Sequence, residues 1–331
     1  MYKKAFHSED ISRKNFLVTG GAGFIGSNLV EYLLKYGAGK VRVLDNLSTG
    51  FRENMEPFRE NPAFEFMEGD ISRPEDCQKA CRETDYVLHQ AALGSVPRSV
   101  NDPQATNEAN VTGFINMLVA ARENKIKRLV YASSSSVYGD SPHLPKTEDE
   151  IGNLLSPYAV SKRVDELYAD VFAKTYGMEI LGLRYFNIFG PRQSPDGPYA
   201  AAIPLFMSAV LNNESPYING DGEQSRDFTF VENAVEANIK ALFCPLERCN
   251  GGVFNIAVGD RTTVNQLFRI IRDAAGSSIE PIYREERPGD VKHSLADIQK
   301  AKKIMGYSPA ITIEKGLEIT FEWFKNKYYP N

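Results

Sequence analysis

Short apolar runs recur along the first half of the chain, each followed by a segment whose apolar residues return at helical spacing. Runs near 16–19, 41–44, 64–67, 85–89, 127–132 and 179–184 are too short for buried helices and predict strands, while Asn28-Leu29-Val30-Glu31-Tyr32-Leu33-Leu34 exemplifies the helical pattern between them. This alternation predicts an α/β fold, a doubly wound parallel sheet covered by helices on both faces. From Phe186 onward the texture changes to Gly, Pro and Asn clusters (NIFGPRQSPDGPYAAAIP, NNESPYINGDGEQS), which predict a smaller α/β lobe of loops and short elements over the carboxyl ends of the strands. The segment FTFVENAVEANIKALF and the run Gly252-Val253-Phe254-Asn255-Ile256 are able to return to the main sheet. The expected division is therefore residues 1–186 with 228–257 for the sheet domain and 187–331 for a substrate lobe. No internal repeat or low-complexity tract interrupts it.

The first strand runs into VTGGAGFIG at 18–26, so strand, tight turn and helix follow in order. Gly20 and Gly23 let the backbone turn sharply and approach a pyrophosphate, the helix start offers free N–H groups, and Gly26 lets the helix pack against the strand. Such turns also occur without a ligand, so position matters. The second strand ends in Asp45-Asn46, where a carboxylate is placed to accept hydrogen bonds from the adenosine ribose. Together these features predict a Rossmann dinucleotide site. An anion at 45 would repel a 2′-phosphate, which favours NAD over NADP, although Arg42 and Arg52 lie near in sequence.

Tyr158 and Lys162 in YAVSK stand one turn apart on one face of a helix whose start is marked by Pro157. A free phenol ionises near pH ~10 and is a poor base at neutrality. An ammonium one turn away favours the phenolate, and so does the positive ring of an oxidised nicotinamide. The pair also follows the strand Arg128-Leu129-Val130-Tyr131-Ala132, which runs into the serines 133–136. Hydroxyls at the carboxyl end of a parallel strand sit where ligands bind in such sheets. At least two of the four serines are expected merely to satisfy the turn.

An ordered series of segments then resembles the extended short-chain dehydrogenase/reductases: VTGGAGFIG, LDNLSTG, GDI (69–71), LHQAA (88–92), ASSSSVYG, SPYAVSK, LRYFNIFGPRQ (183–193), NGDGEQSRDFTFVENAVEA (219–237) and RPGDVKHSLAD (287–297). Among them it is most similar to nucleotide-sugar 4-epimerases that accept UDP-N-acetylglucosamine, from about residue 14 to the end. The resemblance implies an isomerase with NAD as cofactor that removes the 4-hydroxyl proton through Tyr158, passes through a 4-keto sugar and returns hydride to the other face. Its products feed polysaccharide biosynthesis. Cofactor contacts are implied at Gly20, Gly23, Phe24, Ile25, Gly26, Asp45, Asn46, Ser48, Gly50, Asp70, Ile71, Gln90, Ala91, Ala92, Asn110, Tyr158, Lys162 and Tyr185. Ser134, four residues before Tyr138, matches the catalytic hydroxyl, with Ser135 the close second.

For the substrate, the resemblance implies diphosphate contacts from Asn187, Arg226 and Arg287, a ribose contact from Asp290, a uracil clamp at Tyr217 and Asn219, and a sugar-facing loop at Gly94-Ser95. Guanidinium suits phosphate because its planar fork makes paired, charge-assisted hydrogen bonds. Where epimerases restricted to unacetylated hexoses carry a tyrosine, this chain has Ser294. Losing a phenol ring opens on the order of 100 Å³, enough for an acetamido group, so acetylated sugars should fit. A dehydratase would need an Asp-Glu pair where serines stand. Epimerases of UDP-glucose or of acetylated uronic acids, nucleotide-sugar decarboxylases and a non-catalytic NAD-sensing module are the competing readings.

Composition fits an enzyme of this kind. The 331 residues exceed what a single core usually holds, and 42% apolar with 24% charged residues is ordinary for a globular protein. A net charge of −5 gives no reason to expect nucleic acid or a membrane surface. No run approaches the length of a membrane span and MYKKAFHSED lacks an apolar signal core, so a cytoplasmic protein is expected. Cys77/Cys81 and Cys244/Cys249 read as reduced structural thiols and not as metal ligands. A homodimer through the 103–124 and 158–177 helices is implied by the resemblance.

Overall fold

Seven parallel strands form the central sheet: β1 (Asn15–Thr19), β2 (Lys40–Asp45), β3 (Phe64–Glu68), β4 (Tyr86–His89), β5 (Arg128–Ser134), β6 (Ile180–Tyr185) and β7 (Val253–Ile256). The computed structural model describes residues 1–196, 201–286 and 292–329. Strand order is β7-β6-β5-β4-β1-β2-β3, so the chain steps outward from β1 to β3 and then returns to place β4 on the other side of β1. That reversal opens a crevice at the carboxyl ends of β1 and β4. The expected α/β class and all six expected strands are present. β5 runs two residues further than its apolar pattern, because Arg184 and Tyr185 of β6 pair with Ser133 and Ser134 and draw the serines into the ladder.

Helices cover both faces. On one lie α1 (Phe24–Lys35) and, from the second half of the chain, α8 (Val231–Phe243). On the other lie α2 (Pro74–Cys81), α5 (Gly113–Glu123) and α6 (Pro157–Tyr176), whose apolar residues Met117, Leu118, Ala169 and Phe172 share one core. Before α5 come two short helices, α3 (Val96–Asn101) and α4 (Pro103–Asn107), joined to it by a π-helical segment at 108–112. The lobe has its own core, where Phe206 and Met207 of α7 (Ala202–Asn212) meet Leu267 and Phe268 of α9 (Val264–Ala274) and Phe321 of α10 (Ile313–Tyr328). Residues ahead of the resembling region are packed too: Phe6 stacks on Tyr32 of α1, and the buried Tyr2 hydroxyl donates to the Asn28 carbonyl at 3.1 Å.

α6 is built from its caps inward. Ser156 accepts from the Ala159 N–H at 3.1 Å, Pro157 occupies the first turn, and Gly177 closes the helix at φ +67°, where a side chain would be strained. Its sheet-facing stripe is half polar. Glu166 accepts from Arg184 Nε at 2.8 Å, Arg184 Nη2 at 2.9 Å, Arg163 at 2.9 Å and Ser133 Oγ at 2.7 Å. Arg184 is 1% exposed and also donates to the Tyr138 hydroxyl and the Glu148 carbonyl. Burial alone would raise the Glu166 carboxyl, but Arg184 and the other donors hold it below the ordinary range. Arg184→Ala should therefore strand a buried carboxylate and cost about 3–5 kcal/mol, read as a lowered urea midpoint. A loss below about 1 kcal/mol, the scale of an exposed pair, would contradict this account.

Candidate active site

The crevice holds one cleft of about 900 Å³, and most of the expected residues line it. Its first wall is the turn after β1. Gly20 has φ +67°, and a Cβ there would lie 2.7 Å from the Ala91 amide nitrogen, so the backbone from β1 and the backbone after β4 approach as only glycine permits. The turn leads into the 12-residue α1, whose N-cap Gly23 offers no side-chain acceptor, leaving N–H groups for an external anion. Gly26 differs from the expectation. A Cβ on it would fall 2.2 Å from the Gly20 carbonyl oxygen, so its close partner is the turn itself and not the strand.

Asp45 ends β2 beside that turn. Its carboxylate accepts from the Ala22 N–H at 2.9 Å and the Leu47 N–H at 2.8 Å, and burial raises its pKa against these two bonds. Arg42 is committed to Glu65 and to the carbonyls of Ala80 and Arg82, and Arg52 to Glu68. The negative end of β2 is therefore not offset by either arginine. Asn46 donates to Asp70 at 2.8 Å, and with Ser48 and Ile71 these residues continue the wall. Gly50 lies behind it, where a Cβ would meet Ala22 and the Asp45 carboxylate.

The middle of the cleft is framed by Gln90, Ala91, Ala92 and Tyr185. Tyr185 donates to Gln90 at 3.0 Å and accepts from Asn238 at 2.7 Å, while Gln90 donates to Asn238 at 3.1 Å, a closed triangle that fixes all three side chains. Asn238 on α8 carries no sequence signal for this role, being distant along the chain. Asn110 is off the cleft wall: it clasps Leu93, donating to its carbonyl at 3.2 Å and accepting from its N–H at 2.7 Å, and donates to Ser161 at 3.0 Å. It thus holds the loop that carries Gly94 and Ser95, both of which line the cleft.

Tyr158, Lys162, Ser133 and Ser134 close the far end. Lys162 is 3% exposed; its ammonium donates to the Ala132 carbonyl at 3.1 Å and meets Asp165 at 3.2 Å. Burial first, and Lys162 second, push His89 down to about 3, so that imidazole is neutral and bonded to Thr19 at 2.9 Å. Among the serines the geometry separates the candidates. Ser134 is on the wall, Ser135 is not, and the Ser133 hydroxyl is taken up by Glu166.

The lobe contributes Asn187, Ile188, Gln193, Ser194, Asp196 and Ala201. Asn187 adopts φ +39°, a conformation asparagine tolerates, and donates to the Asp227 carbonyl at 3.1 Å. Gln193, Ser194, Asp196 and, from α3, Arg98 are additions to the expected set; loops of this kind carry no periodic signal. Tyr217, Asn219, Arg226 and Ser294 lie off this cleft. Arg284 sits over the Tyr217 ring at 5.0 Å and donates to Asn219 at 2.6 Å. Arg226 donates to the Ser225 and Lys292 carbonyls, and the Ser294 N–H donates to the Ser225 carbonyl at 3.0 Å, so residues 292–294 run beside 225–226. Arg287 and Asp290 lie outside the described residues. Among the described residues no metal-binding cluster occurs, all four cysteines are free thiols, and no helix is long and apolar enough to cross a membrane.

The NAD dependent epimerase/dehydratase family model matches residues 16–257. A UDP-N-acetylglucosamine 4-epimerase from Methanobrevibacter ruminantium M1, solved with UDP-N-acetylmuramic acid, is 44% identical over 95% of this chain and 98% of its own, with a TM-score of 0.89. A putative UDP-glucose 4-epimerase of Methanocaldococcus jannaschii is 41% identical over 94% of this chain and 98% of its own. The UDP-glucuronic acid 4-epimerase of Bacillus cereus, solved with UDP-glucuronic acid and NAD, is 31% identical over 95% and 100% of the two chains, with a TM-score of 0.87.

The glycine cradle yields a direct expectation. Protein purified and then denatured should release NAD and not NADP, and Gly20→Ala should release little or none, since its Cβ would collide with the Ala91 backbone. Wild-type amounts of NAD from the Gly20→Ala protein, measured by enzymatic cycling, would remove the turn from the binding site.

Proposed function

The chain belongs to the NAD dependent epimerase/dehydratase family, and on that premise we propose that it is a UDP-sugar 4-epimerase that interconverts UDP-N-acetylglucosamine and UDP-N-acetylgalactosamine. The observation that carries this reading is the cleft in which the glycine turn, Tyr158, Lys162, Ser134 and the Asn187 loop all meet. The cofactor is NAD. When bound, it supplies a hydride acceptor that is restored at the end of each turnover. The residues do the rest. Tyr158 takes the proton from the sugar 4-hydroxyl and later returns it, Lys162 favours the phenolate, and Ser134 shares a hydrogen bond with the same hydroxyl. The sugar would have to turn over within the cleft while the nucleotide stays fixed. Binding strength therefore belongs at the diphosphate, through Asn187, Arg226 and Arg287, with Tyr217 and Asn219 at the uracil and Asp290 at the ribose. Gly94 and Ser95 would face the sugar from the cleft wall, and Ser294, which lies off that wall, would leave the acetamido group the space that a tyrosine there takes up.

A homodimer is part of the same reading. α6 turns Val160, Leu167, Tyr168 and Val171 outward, an exposed apolar stripe at helical spacing that a second copy would cover.

Purified protein given UDP-N-acetylglucosamine, UDP-glucose and UDP-glucuronate without added cofactor should epimerise the first most efficiently. Tyr158→Phe should lower turnover about 10²- to 10⁴-fold with fold and NAD retained; activity within tenfold of the parent would exclude it as the base. Ser294→Tyr should shift the ratio of N-acetylated to unacetylated turnover by more than about 100-fold, beyond the ~1–3 kcal/mol of a mismatched methylene. Equal loss of both activities would mean that Ser294 does not gate the sugar.

A further inference from the structure

The stretch of α6 that carries Tyr158 and Lys162 holds a third ionisable group for which the reaction as proposed has no use. Asp165, one turn beyond Lys162, is 2% exposed; its Oδ2 meets the Lys162 ammonium at 3.2 Å. Its Oδ1 is buried with no hydrogen-bond partner among the described residues. A carboxylate kept for structure has its lone pairs satisfied, as Glu166 next to it does with four donated hydrogen bonds. The side-chain partner of Asp165 is the lysine of the Tyr-Lys pair.

We propose that Asp165 is a positioning residue for Lys162 whose negative charge offsets the ammonium and keeps the Tyr158–Lys162 pair protonated until an oxidised nicotinamide adds its own positive charge. This rests on the reading of Tyr158 as the base. The charge count gives the direction. With Asp165 ionised, Lys162 charged and Tyr158 neutral, the three groups sum to zero, and loss of the phenolic proton leaves a net negative charge in a desolvated site. Without the carboxylate the same step runs from a net positive charge to zero. A fixed negative charge raises the pKa of every acid beside it, so removing it lowers the pKa of the pair and lets the phenolic proton leave at lower pH.

The surroundings leave this balance to Asp165. On α6, Glu166 is the other charge that acts on it, and Glu166 is committed to Arg184 of β6 and to Arg163. From β5, the Tyr131 phenol is buried and its pKa is raised, first by burial and then by Glu166 and Asp165, so it stays neutral. From β4, His89 is neutral. The turn after β5 brings Tyr138, hydrogen-bonded to Arg184 and Asn255; Arg98 of α3 and Glu108 of the π-helical segment line the cleft, and Arg122 of α5 sits over Tyr176 at the far end of α6. Burial pushes the Asp165 carboxyl up to about 7 against the pull of Lys162, with Glu166 adding to the rise. It is therefore a carboxylate on the alkaline side of neutrality, and its effect on the Tyr158 step grows as the pH rises through neutral.

The test replaces Asp165 with Asn, which keeps the shape and removes the charge. Tyrosine ionisation is followed at 295 nm in the purified holoenzyme, and the Tyr158 step is isolated by subtracting the same titration of Tyr158→Phe made in each background. In Asp165→Asn this step should move to lower pH by about one unit or more, and the acid limb of the pH–rate profile with UDP-N-acetylglucosamine should move with it. Asp165→Glu, which restores the charge, should bring the step back toward the parent. If Asn impairs folding, Asp165→Ser removes the same charge and is read the same way. A step that stays in place or moves to higher pH, with rates merely scaled, would overturn the role of Asp165 alone. Epimerisation surviving in Tyr158→Phe would overturn the base itself.

Discussion

The buried pair between Glu166 and Arg184 is the constraint on which the site depends. Glu166 belongs to the helix that carries Tyr158 and Lys162, Arg184 to β6, and the two join the Ser133 hydroxyl at the end of β5. One set of hydrogen bonds therefore fixes the rotation of α6 about its axis relative to the strand that carries the serines. Two charges taken from water are costly unless every donor and acceptor is met, and here both carboxylate oxygens and the guanidinium fork are met. In return the pair fixes how α6 sits against β5 and β6, which an apolar contact of equal volume would leave free to slide.

The remaining contacts place the cofactor side against this frame. Order reversal at β1 and β4 opens the crevice, Gly20 lets two backbones approach, and α1 presents its N-terminus. The Asn238–Tyr185–Gln90 triangle then ties the floor of the cleft to α8. Polar groups are spent where the cleft must be rigid. Apolar ones fill the faces behind it, with Leu29, Leu33 and Val235 on one side and Phe114, Met117 and Phe172 on the other.

Local chemistry is legible in the sequence; long-range pairing is not. The strands, the glycine turn and the Tyr158/Lys162 spacing are all encoded within a few residues, and period and turn chemistry suffice to find them. Glu166 with Arg184, Asn238 with Tyr185 and the commitment of Arg42 to Glu65 depend on which strands become neighbours, which no local window contains. Asn110 stands in a segment that implies a cofactor contact, yet its side chain is spent on holding Leu93. Residues 1–7 fall outside the recurring pattern and still pack against α1, since Tyr2 and Phe6 are too few to produce a period.

β7 and α8 come from the second half of the chain but complete the sheet built by the first. A fragment ending near residue 186 would expose the β6 edge, lose the cover of α8 and strip Tyr185 and Gln90 of their common partner. The lobes are therefore not interchangeable cassettes. New sugar specificities in this architecture have to arise by substitution within the loops that rise from the sheet, because a crossover in mid-chain would exchange half of the dinucleotide scaffold along with the sugar pocket.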